Sequence, residues 1–163
     1  MSMLNRRFVP ATRTARIEDE DRVVIFYQQQ FGMLEGRFLH EPDAVRFLGN
    51  VEHQLLLGHL DDKPCHLLRI SDPAPVPGLS WHGLRNLIGQ VDDDLFRLLG
   101  LAQQLDAWYD SHRFCGRCAS PMQPRGEERA MECTQCDLRQ YPKLAPCIIV
   151  LIHRDNEVLL ARA

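Results

Sequence analysis

The sequence lacks a long hydrophobic run and has no large excess of one charge. Its longest uninterrupted apolar run is six residues, Cys147–Ile152, whereas a membrane-spanning helix needs about 20. The 163 residues include 19 basic and 22 acidic side chains, a net charge of −3, which gives no general attraction to nucleic-acid phosphates. The first residues also lack the apolar segment of a signal peptide. We therefore expect no transmembrane helix and a cytoplasmic location.

Aromatic residues are few, at 7% of the chain, but 45% of all residues are hydrophobic and 25% are charged. This composition is ordinary for a folded globular protein and excludes disorder as the main state. Residues 1–21 end in an acidic run and are expected to form a flexible leader. Residues 22–110 are then expected to form a mixed α/β domain of modest size, so the predicted fold class of the chain is α+β.

Hydrophobic periodicity predicts the elements of this domain. Strands are expected where β-branched or alternating apolar residues occur, a hairpin where two such runs flank Asp61–Pro64, and a long helix where leucines repeat at spacings of three and four. Proline-rich residues 73–78 are expected to form a loop. The predicted elements are strands Arg22–Tyr27, Gly36–His40 and Val45–Leu48, hairpin strands His53–Leu60 and Cys65–Ile70, a short helix Trp81–Ile88, and a long helix from Asp92 to about Tyr109.

Four of the six cysteines lie within 22 residues, in the pattern Cys115-x2-Cys118-x14-Cys133-x2-Cys136. Two such paired turns supply the four thiolates of a closed tetrahedral zinc site, which holds a fold and does no catalysis. Residues 111–141 are therefore predicted to form a zinc ribbon with arms at Met122–Pro124 and Arg129–Glu132. Two disulfides or a redox Cys-x-x-Cys remain the alternatives, and His112 is a competing ligand that is better interpreted as a surface residue.

The remaining cysteines and the last residues of the chain belong to apolar runs. Cys65 and Cys147 are expected to be small buried residues. Ile148–Ile152 has the continuous apolar pattern of a strand buried on both faces of a sheet, and Val158–Ala163 begins a second strand. One hairpin does not supply such a sheet alone, so residues 142–163 are expected to be the incomplete start of a further domain.

The motifs of the second half carry a resemblance to a known family. The chain resembles the NADH pyrophosphatases of the Nudix hydrolases, densely over residues 94–163 and in domain order over residues 1–93. The matching features are Phe114-Cys115-Gly116-x-Cys118, the x14 ribbon, Tyr141-Pro142-x-x-Ala145-Pro146-Cys147-Ile148-Ile149-Val150, and the Arg-Asp turn followed by Leu-Leu-Ala-Arg.

This resemblance implies cleavage of the pyrophosphate of NAD(H), and of NAD-capped RNA, to NMN(H) and AMP. It implies a homodimer, a structural Zn²⁺, and catalytic Mg²⁺ or Mn²⁺ held by clustered carboxylates that neutralise phosphates and activate water. It also implies substrate contacts at Glu128, Tyr141 and Arg85. The Nudix box that supplies the catalytic glutamates is absent from these 163 residues. We therefore expect the chain to hold no catalytic residue and to be inactive by itself.

Two other functions fit a zinc ribbon. It can be a nucleic-acid-binding module or a dimerisation unit without hydrolase activity. A nucleic-acid ribbon normally shows a marked basic face, whereas residues 111–163 have only eight basic against six acidic side chains. The charge census thus favours the enzyme over the nucleic-acid module, while the dimerisation unit stays compatible with it.

Overall fold

The computed structural model describes residues 7–11, 16–45, 49–143 and 145–160. The fold is mixed α/β, as predicted at the level of class, with one long helix and several sheets. The helices are α1 (Pro42–Val45) and α2 (Asp93–Ser111), with a 3-10 turn at Leu84–Leu87. The strands are β1 (Phe8–Pro10), β2 (Arg22–Tyr27), β3 (Gln30–Leu34), β4 (Asn50–Leu60), β5 (Lys63–Ser71), β6 (Leu79–His82), β7 (Met122–Pro124), β8 (Met131–Cys133), β9 (Arg139–Gln140), β10 (His153–Arg154) and β11 (Glu157–Val158).

A six-stranded sheet in the order β1-β4-β5-β2-β3-β6 forms the first part of the molecule. Strands β2 and β5 are parallel, and the other neighbours are antiparallel. Alternate residues of a strand face opposite sides, and both faces of β2 are covered. Val24 and Phe26 lie in the core that includes α2, whereas Val23 and Ile25 lie in a second cluster with Val45.

The hairpin of β4 and β5 confirms the hairpin predicted around Asp61–Pro64. Its turn residues Asp61 and Asp62 have φ of 52° and 63°, the sign required by the two-residue turns that match strand twist. Asp61 is held there by Arg7, whose Nε lies 2.7 Å from its carboxylate. Gly58 of β4 passes so close to β1 that an added Cβ would lie 2.2 Å from the Val9 carbonyl oxygen.

Helix α2 also confirms its prediction. It begins after Asp92, whose side chain accepts hydrogen bonds from the backbone N–H groups of Asp94 and Leu95 at 3.1 and 3.0 Å. This is an N-cap, which satisfies donors that the first helical turn leaves free. Most of the predicted apolar stripe is buried, and Leu95 is partly buried. The buried members are Leu98, Leu99, Ala102, Leu105 and Trp108.

Several predicted elements differ from the structure. Gly36–His40 is not a strand, because only Arg37 and His40 form isolated bridges, and the strand of this region is β3. Val45 lies in α1, not in a strand, and residues 46–48 of that prediction lie outside the described residues. The predicted short helix at Trp81–Ile88 divides into the end of β6 and a 3-10 turn. Residues 8–10, predicted to be part of a flexible leader, pair with β4.

The last described residues also correct a prediction. Residues 148–152 form no strand and are exposed, with Ile149 fully accessible to solvent. The hairpin that does form is short, His153–Arg154 against Glu157–Val158. Within the described residues nothing covers this apolar run, so its β-branched residues have no neighbouring strand to pair with. None of the helices in the described ranges has the length and apolarity needed to span a membrane.

Candidate metal centre and neighbouring polar contacts

The ribbon is the three-stranded sheet β7-β8-β9. The first predicted arm coincides with β7, whereas the second, Arg129–Glu132, begins two residues before β8 begins and ends one residue before β8 ends. Its packing is continuous with the core of the larger sheet. Met122 and Met131, as well as Cys115 and Cys133, belong to the buried cluster that contains Phe8, Leu57 and the inner face of α2. The ribbon is therefore fixed against the helix that leads into it.

The two cysteine turns of the ribbon have the same local geometry. The backbone N–H of Cys115 donates to the Ser120 carbonyl at 2.8 Å, and that of Cys133 donates to the Leu138 carbonyl at 2.9 Å. The residue four positions after each of these cysteines, Ala119 and Asp137, has a positive φ of 61° or 53°. In both turns the first sulfur also accepts a backbone N–H at 3.4 Å, from Arg117 or Gln135. This repeated turn aims all four side chains at one point.

The sulfurs of Cys115, Cys118, Cys133 and Cys136 lie within 4.8 Å of one another. Three of the separations are 3.6 Å (115–136), 3.4 Å (118–133) and 3.5 Å (118–136). Tetrahedral zinc with bonds of about 2.3 Å needs sulfurs about 3.8 Å apart, so the set fits a zinc ion. The four cysteines are free thiols, and these separations far exceed a disulfide bond of about 2.05 Å. The disulfide alternative is therefore wrong.

The acidity of these thiols varies within the cluster. A hydrogen bond with the Ser120 side chain, together with the Ser120 backbone, lowers the pKa of Cys118 to about 6. The pKa of Cys136 rises to about 12, because desolvation and the three neighbouring sulfurs outweigh the lowering effect of the Leu138 backbone. Crowded thiols do not all ionise without a compensating charge, and a divalent cation supplies it.

The structure also shows the positions of His112 and of the two cysteines outside the ribbon, Cys65 and Cys147. The Nδ1 atom of His112 lies 2.7 Å from the Trp108 carbonyl at the end of α2, and this residue is not part of the cysteine cluster. Cys65 is buried, as expected, and burial raises the pKa of its thiol to about 11. Cys147 is exposed, so the prediction that it is buried is wrong.

The structure brings together two of the three residues predicted to contact substrate. The Tyr141 hydroxyl donates to Glu128 Oε2 at 3.2 Å, and Tyr141 is 45% exposed. Glu128 Oε1 also lies 3.2 Å from Arg125 Nε. The third residue, Arg85, is exposed in the 3-10 turn, and none of the hydrogen bonds or ion pairs found in the described residues joins it to Glu128 or Tyr141.

Sequence reasoning missed the charged residues that surround this pair. Arg125, Glu132 and Arg139 are spaced by seven residues, and Glu132 is the direct partner of Arg139 in the pairing of β8 and β9. It also missed Arg129, whose guanidinium reaches the Ala11 carbonyl and, at 2.6 Å, the Leu56 carbonyl of the larger sheet. Regular spacing of charges across a predicted ribbon was the available signal for the first group, whereas nothing in the sequence indicated the second contact.

Comparison with known proteins gives matches over most of the chain. Residues 18–108 match the sequence model of the NADH pyrophosphatase-like rudimentary NUDIX domain, and residues 110–141 match that of the NADH pyrophosphatase zinc ribbon domain. The zinc ribbon match and the four-cysteine geometry together identify the cysteine cluster as a structural Zn²⁺ site.

Curated relatives match as well. The NAD-capped RNA hydrolase NudC of Stutzerimonas stutzeri (strain A1501) is 46% identical over 144 residues, which cover 86% of this chain and 51% of the relative. The proteins of the same name from Pseudomonas putida (strain W619) and Pseudomonas fluorescens (strain Pf-5) are 48% and 49% identical over 107 residues, or 66% of this chain and 39% of each relative. The chain thus spans about half the length of these relatives or less. It belongs to the NADH pyrophosphatase family of Nudix hydrolases, of which it carries the rudimentary NUDIX-like domain and the zinc ribbon.

Proposed function

We propose that this chain is the N-terminal and zinc-ribbon portion of a cytoplasmic Nudix hydrolase that cleaves the pyrophosphate of NAD(H), and of NAD-capped RNA, to NMN(H) and AMP. Residues 22–110 form its N-terminal domain, residues 111–141 its zinc ribbon, and residues 142–163 the start of its hydrolase domain. The protein acts as a homodimer. Support comes from the family matches and from relatives that are named NAD-capped RNA hydrolases.

The observation that carries the proposal is the contact between Tyr141 and Glu128 on the ribbon. A half-exposed phenol ring offers a face on which a nucleotide base can stack. The carboxylate beside it accepts hydrogen bonds from ribose hydroxyl or amide groups. Both carboxylate oxygens of Glu128 already have a protein partner, which holds them in place while each keeps a further lone pair for a ligand. Arg85 is proposed as a third contact, supported by its exposed position ahead of α2.

The zinc ligands in this proposal are Cys115, Cys118, Cys133 and Cys136. With four protein thiolates the zinc has no open position for water, so its role is to hold the ribbon. In the described part of the chain these cysteines are the group with metal-binding geometry, and no carboxylate cluster there fits a catalytic Mg²⁺ or Mn²⁺. The proposal therefore assigns that ion to the hydrolase segment outside this chain, and no chemical step is derived through it.

Hydrolysis and binding assays test this proposal together. A protein that continues this chain with its hydrolase segment should convert NADH to NMNH and AMP in Mg²⁺ or Mn²⁺, while the 163-residue chain should not. The Y141A and E128Q variants of the longer protein should raise KM for NADH by about tenfold or more, the effect of losing one stacking or charged hydrogen-bond contact. The R97Q variant, which changes a surface arginine of α2 paired with Asp94, serves as the control.

A parallel titration of the zinc-loaded chain with NADH and with single-stranded RNA separates the proposal from the binding-module alternative. Binding of NADH that is lost in Y141A supports the nucleotide contact. Binding of RNA alone, unaffected by Y141A, contradicts the proposal and assigns the ribbon to nucleic-acid binding. Turnover of NADH by the 163-residue chain itself would also contradict it, because the catalytic groups would then lie among these residues.

A further inference from the structure

We infer that Glu132 is a positioning residue, which orients Tyr141 and Glu128 through the two arginines that it binds. The inference rests on the proposed function of Tyr141 and Glu128 as nucleotide contacts. Among the hydrogen bonds and ion pairs of the described residues, those of the Glu132 carboxylate go to Arg125 and Arg139 and not to Tyr141 or Glu128. Its role is therefore separable from theirs by experiment.

Five side chains on one side of the ribbon form a closed ring of polar contacts. Arg125 Nε lies 3.2 Å from Glu128 Oε1, and Glu128 Oε2 accepts from the Tyr141 hydroxyl at 3.2 Å. Arg139 also interacts with Tyr141, which contributes with Glu132 to raising the pKa of the Arg139 guanidinium. A single oxygen, Glu132 Oε1, closes the ring by accepting from Arg139 Nε at 2.8 Å and from Arg125 at 3.1 Å. These five side chains are the ribbon ring.

The backbone explains why these side chains meet. Strands β8 and β9 pair Glu132 directly with Arg139, so their side chains share a face of the sheet. Arg125 follows β7 and is held by a hydrogen bond from its N–H to the Ala130 carbonyl. The Ala130 N–H in turn donates to the Glu128 carbonyl at 2.8 Å, which tightens the turn that carries Glu128. Tyr141 comes directly after β9.

The charges of the ribbon ring balance, with two guanidinium groups and two carboxylates around a neutral phenol. Arg125 and Glu132 are each 24% exposed, and Arg139 is 48% exposed. Partly exposed ion pairs add little to folding stability because water and salt screen them. A network of several such pairs instead restricts rotamers, and the planar guanidinium group fixes the direction of each contact. The ribbon ring therefore orients the side chains more than it stabilises the fold.

Removing the Glu132 charge breaks the ribbon ring between its two arginines. Arg139 then loses the carboxylate that fixes its guanidinium in the neighbourhood of Tyr141, and the Arg125 guanidinium keeps Glu128 as its partner. Tyr141 and Glu128 are still present but sample more rotamers. A ligand that needs both in one arrangement binds less tightly, because it must order them on binding.

The experiment uses the zinc-loaded 163-residue chain with isotope-labelled tyrosine. The chain has three tyrosines, so the Tyr141 ring signals are assigned by comparison with Y141F. We expect the E132Q and R125Q variants to shift or broaden the Tyr141 ring signals and to weaken NADH binding by about tenfold. The matched control is E157Q, which also removes a carboxylate bound by an arginine, Arg154 at 3.1 Å, but lies outside the ribbon ring. It should change neither readout.

Two further measurements make the result decisive. Glu132 precedes the zinc ligand Cys133, so elemental analysis must show one zinc per chain in every variant. The R125Q variant breaks the same ribbon ring at a residue that is not next to a cysteine. In the double variant E132Q/Y141A the loss of NADH affinity should be smaller than the combined losses of the two single variants, because one of the two side chains that Glu132 positions is already gone.

The outcomes separate the inference from the proposed function. If Y141A weakens NADH binding while E132Q and R125Q leave both the Tyr141 signals and the affinity unchanged, Glu132 has no positioning role and the proposed contact stands. If Y141A and E128Q leave NADH affinity unchanged, the proposed contact is wrong. In that case, unchanged Tyr141 signals in E132Q also overturn the positioning of Tyr141, and altered signals uphold it.

Discussion

At the scale of single residues, buried polar groups hold the first part of the chain to its sheet. His66 of β5 is fully buried, and its Nε2 lies 2.9 Å from an oxygen of Asp21, which is also buried. Two opposing effects act on the imidazole. Burial lowers its pKa and is the larger effect, whereas the Asp21 carboxylate raises it. The net result is a histidine that folds in its neutral form.

The His66 pKa gives a prediction with a definite sign. Its folded pKa lies below its unfolded value of about 6.5, so the unfolded chain binds the proton first as pH falls. The stability from neutral His66 is therefore present above about pH 6.5 and is lost as pH falls through the folded pKa. NMR titration should show the His66 imidazole titrating below the ordinary value, and D21N should lower it further. An imidazole that titrates above the ordinary value would show a charged pair with Asp21 instead.

A second prediction concerns the contribution of Arg129 to the stability of the fold. It is the ribbon residue whose guanidinium reaches main-chain carbonyls of Ala11 and Leu56, and burial lowers its pKa. R129A leaves these carbonyls without that donor and should lower the free energy of unfolding by about 1–3 kcal/mol. R97A, which removes an exposed pair on α2, should change it by less than about 1 kcal/mol. Urea unfolding measures both, and equal effects would refute a bridging role for Arg129.

At the scale of elements, the sequence correctly predicted the helices, hairpins and turns that are determined by residues close together in the chain. Helix α2 has its cap at Asp92 and a long apolar stripe, and the β4–β5 hairpin has two apolar runs around an acidic turn. The spacing of the two Cys-x-x-Cys pairs likewise determines the geometry of their turns. These signals depend on neighbours along the chain, which a single sequence contains.

The elements that were predicted wrongly depend on distant partners. Strand β3 pairs with β2 and with β6, and β6 follows a proline-rich loop, so neither can be placed without the sheet order. Residues 36–40 have a strand-like composition, but they form isolated bridges because β2 and β3 already supply that part of the sheet. The contact between Tyr141 and Glu128 could likewise not be predicted from the sequence, because it depends on the conformation of the turn between β7 and β8.

Zinc removal tests the ribbon as an element. Its three strands are two or three residues long, too short to persist alone, whereas structural zinc contributes about 10–16 kcal/mol of apparent binding energy in small peptides. We predict one zinc per chain and loss of the ordered amide signals of residues 112–140 on chelation. C118S should lose the metal, and C147S, which changes an exposed cysteine outside the ribbon, should keep it. An unchanged spectrum after chelation would contradict a structural zinc.

At the scale of the whole molecule, the chain combines a packed core, with a second cluster on the other face of the sheet, and an uncovered apolar segment. The sheet, α2 and the ribbon share a single buried cluster. Residues 148–152 lie outside it, and Ile148 is 85% exposed. Consecutive exposed aliphatic residues with high β-propensity and no charge are the pattern that promotes association between chains.

The last prediction follows from that segment. Burying one aliphatic side chain is worth about 1.5–3 kcal/mol, so five in succession favour association strongly. We expect the 163-residue chain to self-associate in reducing buffer as its concentration rises, and a chain shortened to end at Tyr141 to remain more soluble. Light scattering measures both, with zinc content as the control for an intact ribbon. A monomer at high concentration whose amides at 147–160 resist hydrogen exchange would instead show that the segment is covered within its own chain.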